Sequence, residues 1–304
     1  MSDRLFSIVV ACHNHEDFVR ESVGSALSQK HPGKEVIVVD DGSRDRSVEI
    51  LKTYGDSILL ASLPVNRGAG AARNHGASLA RGEYIVYLDG DDVLMPWALD
   101  VYSRVIAERR PKILMAQSAK CYGKGPAPET TALPREIQLA DYPYFLDKDR
   151  PWVFNTSSLI VERATLQSAG GWSEDIFYQD IQDLLNKLGV AGRTILLLSP
   201  ETVWYRMHAS NAIRNVGLFA EGIQTLKTKT KAGVYPGGKE CQGKRASWIG
   251  GLIYYWAKQS IRSGLYRYGF TLLASGMWLI VLGTVRRGAA WIKGRVPVET
   301  IPME

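Results

Sequence analysis

Four apolar runs mark the first third of the chain, at residues 6–12, 35–40, 57–63 and 83–88. They are rich in Val, Ile and Leu and lack strict apolar–polar alternation, which predicts buried strands of a parallel sheet covered on both faces. Between them the spacing turns helical. Residues 17–28 place Phe18, Val19, Val23 and Leu27 on one face, residues 47–54 form a shorter helix with Asp45 as its cap, and residues 69–80 are Ala-rich. The order βαβαβαβ predicts an α/β fold with a doubly wound, mostly parallel sheet.

After Asp92 the texture changes. Pro96 and Trp97 open a helix running to Arg110, and a strand follows at 113–118. Residues 124–139 contain three prolines and read as a surface loop. Residues 152–161 and then 194–198 and 202–207 read as strands, and 163–169 and 179–188 as helices. From Gly217 onward the pattern is helical, broken at 233–238, and no internal repeat is present. The expected organisation is a catalytic unit over 1–215, split into a nucleotide-binding half (1–110) and an acceptor half (111–215), followed by a helical extension over 216–304.

Polar residues collect where the early strands end. The first strand runs into Ala11-Cys12-His13-Asn14, the second into Asp40-Asp41-Gly42-Ser43, and the fourth into Asp89-Gly90-Asp91-Asp92. In an open parallel sheet these carboxyl ends share one edge, and ligands bind in the crevice there. Three carboxylates so close raise one another's pKa unless a cation or hydrogen-bond donors compensate, and carboxylate oxygens suit Mg²⁺ or Mn²⁺. The Gly-rich stretch from Asn66 to Gly76 precedes a helix whose N-terminus favours anions, with Arg73 in reach of a diphosphate. It follows the third strand and has no Gly-Lys-Ser/Thr, so it is neither a dinucleotide fingerprint nor a P-loop. A later acidic group holds Glu174, Asp175, Asp180 and Asp183. The last two are three apart and share a helix face, which makes either a candidate base. Arg206 and His208 alternate to one side of a strand, where they meet phosphate or metal.

Charge and cysteine content narrow the classes. The formal net charge of +6 is concentrated in residues 241–304, with nine Lys and Arg against two Glu; the rest of the chain is near neutral. That is no nucleic-acid-binding pattern, whereas a basic, aromatic tail suits anionic lipid or an acidic partner. Cys12, Cys121 and Cys241 are odd in number and widely spaced, which argues against a zinc site or a disulfide framework and for a reducing, cytosolic compartment. No secretory signal is visible. The longest apolar run, 270–283, falls short of the roughly 20 residues of a bilayer crossing, so an interfacial helix is expected and a transmembrane one is not.

Taken in order, these motifs resemble the family 2 glycosyltransferases, inverting enzymes of the GT-A fold. They are Asn14 after the opening strand, Val38-Val39-Asp40-Asp41-Gly42-Ser43, Asn66-x-Gly68 with Ala72-Arg73-Asn74, Gly82-Glu83-Tyr84-Ile85 leading to Asp89-Gly90-Asp91-Asp92, Gly170-Gly171-Trp172, Gln179-Asp180, and Tyr205-Arg206-x-His208. The resemblance covers about residues 6–210. It implies a nucleotide-sugar site lined by Ala11, His13, Asn14, Asp41, Arg73, Asp89 and Gly90, with Asp41 on the base edge, Arg73 on base or diphosphate, and Asp89 on the ribose. It implies a Mn²⁺ or Mg²⁺ ion on Asp91, with His208 beside it, and Asp180 as catalytic base. The family usually has Pro or Thr at Ala11, Tyr at His13 and Glu at Gln179.

The implied reaction moves a sugar from a nucleoside-diphosphate sugar, UDP-linked by family default, to a hydroxyl of a glycan or lipid-linked acceptor in polysaccharide or cell-envelope synthesis. The C-terminal helices imply peripheral contact with the cytoplasmic face of a membrane, or packing on the catalytic unit or another subunit. A sugar-nucleotide pyrophosphorylase would need a Gly-rich basic loop after the first strand, where this chain has Cys12-His13-Asn14-His15-Glu16. The non-catalytic alternative is a degenerate relative that binds nucleotide sugar or glycan as a scaffold, and Gln179 is its support.

Overall fold

The computed structural model describes residues 6–129, 133–148, 155–209, 211, 215–292 and 295–303. Strands β1 (Phe6–Cys12), β2 (Lys34–Asp41), β3 (Leu59–Leu63) and β4 (Tyr84–Asp89) alternate with helices α1 (Val19–Leu27), α2 (Ser47–Lys52) and α3 (Ala69–Leu79). All four strands are parallel, in the spatial order β3-β2-β1-β4. Alternate residues of β1 serve opposite faces, with Phe6, Ile8 and Val10 in one apolar core and Val9 and Ala11 in the other. That double coverage is why β1, β2 and β4 read as continuous apolar runs. β3 does not share it: it lies at the free margin of the sheet and Leu59 is 42% exposed, so the expectation of a buried strand fails there. Arg46, not Asp45, stands at the N-cap of α2; Asp45, one residue earlier, accepts the Ser47 amide at 3.0 Å and the Glu16 amide at 2.9 Å.

The second half extends the same sheet with mixed strand directions. β5 (Val93–Leu94) and α4 (Ala98–Arg109) lead to β6 (Ile113–Tyr122), β7 (Glu136–Tyr142), β8 (Leu159–Glu162), α5 (Arg163–Ser168), α6 (Asp180–Lys187) and β9 (Thr194–Met207). β8 joins the halves, antiparallel to both β4 and β6. β9 is one 14-residue strand, where two were expected; Ser199-Pro200, a cis peptide, interrupts the apolar pattern without ending the ladder. The proline-rich stretch also differs from expectation, because residues 136–142 form a strand with Ile137 and Leu139 fully buried. The strand expected at 152–161 begins only at Leu159, after a short 3-10 turn at Thr156–Ser158, and residues 152–154 lie outside the described residues.

Helices α7 (Val216–Lys231), α8 (Gly238–Arg262) and α9 (Tyr266–Ile292) follow. They share an apolar cluster of Ala220, Ile223, Ile249, Ile253, Trp256, Ala257 and Leu272. The chain then returns to the sheet as β10 (Glu299–Pro302), antiparallel to β7, with Ile301 in the main core. The helical extension therefore ends in a strand that the sequence did not suggest. α9 also exceeds the sequence expectation: Tyr266–Val285 is 20 residues at mean hydropathy 1.6, apolar and long enough to cross a membrane by length and composition, and 22% of it is buried. The apolar run 270–283 is shorter because it stops at Gly269 and Thr284, whereas the helical stretch also takes in Tyr266, Arg267 and Tyr268 at one end and Thr284 and Val285 at the other.

Candidate functional site

The sheet register brings the predicted edge together. Ala11 is the direct partner of Asp89, and Cys12 that of Asp40. The Gly90 amide donates to the Ala11 carbonyl at 2.9 Å, so the β1 and β4 ends leave the sheet side by side. Asn14, in a left-handed conformation at φ 55°, donates its backbone amide to the Ser43 hydroxyl at 2.9 Å and accepts the Arg44 amide on Oδ1 at 2.8 Å. The His13 ring lies between the β2 end and the Gly-rich loop: Nδ1 is 2.8 Å from the Asp41 carbonyl, and Nε2 is 2.8 Å from Asn66 Nδ2.

Asp41 is buried, and its two carboxylate oxygens accept the Arg67 and Gly68 amides, each at 2.8 Å. The anion at the head of the Gly-rich loop is thus the protein's own carboxylate, where the sequence suggested a ligand diphosphate.

Arg73 joins the two halves. Its side chain is 6% exposed; one nitrogen donates to Asp89 at 2.8 Å and the other to Asp180 at 2.5 Å. The guanidinium lies 4.6 Å from the centre of the Trp172 ring. Asn74 fixes that ring by exchanging two hydrogen bonds with the Trp172 backbone at 2.9 Å. Gly171 has φ 68° and a side chain there would meet Asn74 Oδ1 at 2.6 Å, which explains Gly170-Gly171-Trp172 and Arg73-Asn74 as one construction. Burial opposes the charge of Arg73, but Asp89 and Asp180 outweigh it and hold the guanidinium above its ordinary pKa. Burial likewise raises the Asp89 carboxyl, against the pull of Arg73.

The remaining aspartates of the cluster have separate tasks. Asp91 Oδ2 is 2.8 Å from His208 Nε2 and 3.9 Å from His15 Nε2. Burial pushes the Asp91 carboxyl up, but the His208 hydrogen bond and the two imidazoles outweigh it, and the net direction is down. The His208 ring packs on Phe18 with centroids 4.5 Å apart. Asp92 is fully buried, accepting from the Ser157 hydroxyl at 2.5 Å and the Arg206 amide at 2.9 Å; burial and its two acidic neighbours push it well up. It acts as a brace. Arg206 is also a brace: its side chain donates to the Asp91 carbonyl at 3.0 Å, to the Gly125 carbonyl at 2.5 Å and to Glu21, so it does not share the open edge with His208 as alternation suggested.

The other acids of the later group are engaged elsewhere. Glu174 pairs with Arg67 at 2.7 Å and Asp175 with Lys229 at 3.0 Å. Asp183 is buried and accepts from the Tyr235 hydroxyl at 2.6 Å and the Ser173 hydroxyl at 2.5 Å. Of the four, Asp180 is the one brought to the Asp89 end of β4. Gln179, beside it, is fully buried; its Oε1 has no hydrogen-bond partner and its Nε2 donates weakly to the Phe219 carbonyl at 3.4 Å. His15, Ser157 and Trp172 belong to the site although the motif reading assigned them no role. His15 stood in view two residues after His13, and Trp172 within a motif.

Residues 7–152 match the family model "Glycosyl transferase family 2". The chain is 38% identical over 97 residues to an uncharacterized glycosyltransferase of Haemophilus influenzae, covering 31% of this chain and 39% of that protein. It is 27% identical over 185 residues to the poly-β-1,6-N-acetyl-D-glucosamine synthase of Staphylococcus epidermidis, covering 58% of this chain and 43% of that one. These alignments thus span less than half the length of the relatives. Among solved structures, S. aureus TarS 1-349 in complex with UDP-GlcNAc superposes with TM-score 0.60 at 18% identity over 93% of this chain and 92% of that one. The mannosyltransferase PcManGT of Pyrobaculum calidifontis in complex with GDP-Man and Mn²⁺ does so with TM-score 0.55 at 16% identity over 95% and 86%. Residues 7–152 therefore resemble glycosyl transferase family 2, and the chain has the GT-A fold of these structures, as the ordered motifs along its first 210 residues implied.

Proposed function

We propose that this chain transfers a sugar, with inversion, from a nucleoside-diphosphate sugar to a hydroxyl of a glycan or lipid-linked acceptor. The observation that carries the reading is the single guanidinium of Arg73 bonded to both Asp89 and Asp180. It sets the donor edge of the sheet and a carboxylate from the acceptor half one side chain apart. In this reading Ala11, His13, Asn14 and Asp41 frame the base, Asp89 takes the ribose, and Gly90 lets the backbone approach the donor. The acceptor oxygen attacks the anomeric carbon, the bond to the diphosphate breaks with its electron pair leaving on the phosphate oxygen, and the acceptor proton passes to Asp180. UDP is the favoured nucleotide and the synthesis of a cell-envelope polysaccharide the favoured setting, in line with the names of the relatives.

The donor set suits a substrate-completed metal site. Among the described residues no group of three or more His, Cys, Asp or Glu side chains surrounds one point. Asp91, kept ionised, and His208 supply two donors, and Mg²⁺ or Mn²⁺ commonly takes few protein ligands and fills the rest with phosphate and water. Bound there, such an ion would neutralise charge on the departing diphosphate. The exposed apolar residues of α9, among them Phe270, Met277, Trp278 and Val281, support peripheral attachment to the cytoplasmic face of a membrane, which would suit a lipid-linked acceptor.

Calorimetric titration of UDP, GDP, dTDP and CDP, with and without Mn²⁺, into wild type and Asp91→Ala tests the reading. One nucleotide should bind with metal dependence, and the variant should lose it. Binding of none would favour the second reading, a non-catalytic scaffold, for which Gln179 in place of the usual Glu is the supporting observation.

A further inference from the structure

The start of α8 holds a basic pocket that the transfer reaction does not use. Arg245 is 2% exposed, and among the described residues it makes no ion pair. One terminal nitrogen donates to the Pro236 and Asn186 carbonyls, while its Nε has no partner. Burial holds the guanidinium below its ordinary pKa, with no carboxylate beside it to restore the balance. A buried cation without a counter-charge is costly and is retained where an anion completes it. Arg245 lines a cavity of about 130 Å³ together with Thr230, Gly233, Tyr235, Gly238, Lys239 and Gln242.

That cavity sits at the N-terminus of a 25-residue helix whose first turn has no side-chain cap. Gly238, the first residue of the helix, lines the cavity, and a Cβ there would meet nothing within 4 Å, so the backbone at this end of the helix is open to a ligand. The helix dipole adds to the attraction. Lys239 is exposed and has no hydrogen bond or ion pair among the described residues. The neighbouring Glu240 is exposed and does not line the cavity.

We infer that Gly238, Lys239, Gln242 and Arg245 form a binding site for a phosphoryl anion, separate from the donor site. The cavity has room for a phosphate group. The phosphate comes from free phosphate or from the headgroup of an acidic phospholipid; the exposed face of α9 belongs to the same pair of packed helices.

Inorganic phosphate is titrated calorimetrically into the full chain as wild type, Lys239→Ala and Arg245→Gln. Phosphate should bind wild type and weaken about tenfold or more in each variant, the effect of losing a hydrogen bond to a charged group. Lys239 is at the surface, so its variant reports on the site even if Arg245→Gln folds poorly. Co-sedimentation with phosphatidylcholine vesicles, with and without phosphatidic acid, separates the sources. A Lys239-dependent gain with phosphatidic acid assigns the headgroup, and phosphate binding without that gain assigns the free ion. Unchanged phosphate affinity in Lys239→Ala, or no phosphate binding by wild type, would overturn the site. Neither result bears on the donor titration, whose failure is read with Asp91→Ala.

Discussion

Asp180→Asn separates chemistry from architecture. The substitution keeps the side-chain shape and removes both its charge and its ability to take a proton. If Asp180 is the base, the turnover rate should fall by about 10²–10⁴, or roughly 3–5 kcal/mol of barrier. The structural effect is smaller. Asp180 holds Arg73 through a 2.5 Å bond, but its side chain is 20% exposed and Arg73 keeps Asp89 at 2.8 Å. A hydrogen bond to a charged group is worth about 1.5–3 kcal/mol, and solvent at this one reduces the expected loss to about 1–2 kcal/mol. At about 2–4 °C per kcal/mol, Tm should fall by a few degrees and the fold should persist. The assay is release of the nucleotide identified by titration, with acceptor present, beside scanning calorimetry on the same preparations. A lowered Tm with a rate within tenfold of wild type would refute the reasoning, leaving Asp180 as a counter-ion for Arg73.

Gly222→Ala should lower the rate without touching a reacting group, because its Cβ would stand 2.8 Å from Gln179 Cγ and 2.9 Å from the Phe177 carbonyl, shifting the turn that carries Asp180; overpacking of this kind costs about 1–3 kcal/mol, and an unchanged rate and Tm would show that the turn is compliant. Timed alkylation at pH 8 followed by mass spectrometry should label Cys241 first, since it is half-buried, while Cys12 is buried and its thiol is pushed up to about 12, keeping it protonated; rapid labelling of Cys12 in folded protein would contradict its placement. Phe270→Lys with Trp278→Glu, at positions 61% and 70% exposed, should reduce co-sedimentation with vesicles and leave nucleotide affinity unchanged; equal binding would remove α9 as a membrane surface.

How much of this was legible from sequence depends on where the signal resides. β1, β2 and β4 announced themselves because strands buried on both faces are written as continuous Val and Ile. β3 was found but misjudged, since position at a sheet margin depends on what pairs next to it, not on its own residues. β7 was hidden by prolines just before it, and β9 was split because a polar Ser199-Pro200-Glu201 interrupts a ladder that tertiary pairing sustains. At the site, placement at one edge of the sheet was legible and partnerships were not. Asp41, Arg73, Asp89, Asp91, Asp180 and His208 do gather at one edge. That Asp41 closes the Gly-rich loop, that Asp92 and Arg206 brace each other, and that Asp183 turns toward Tyr235 are facts about distances between segments far apart in the chain.

The return of β10 to the sheet changes what the helices are in engineering terms. They are an insertion anchored at both ends, with Gln179 under Phe219 at one and Ile301 in the main core at the other. A cut at residue 215 would not liberate a clean catalytic module. It would strip β10 from β7 and leave a row of unsatisfied amides and carbonyls, the kind of bare margin that recruits other chains. Excising the insertion cleanly means replacing α7–α9 with a linker and keeping residues 299–302.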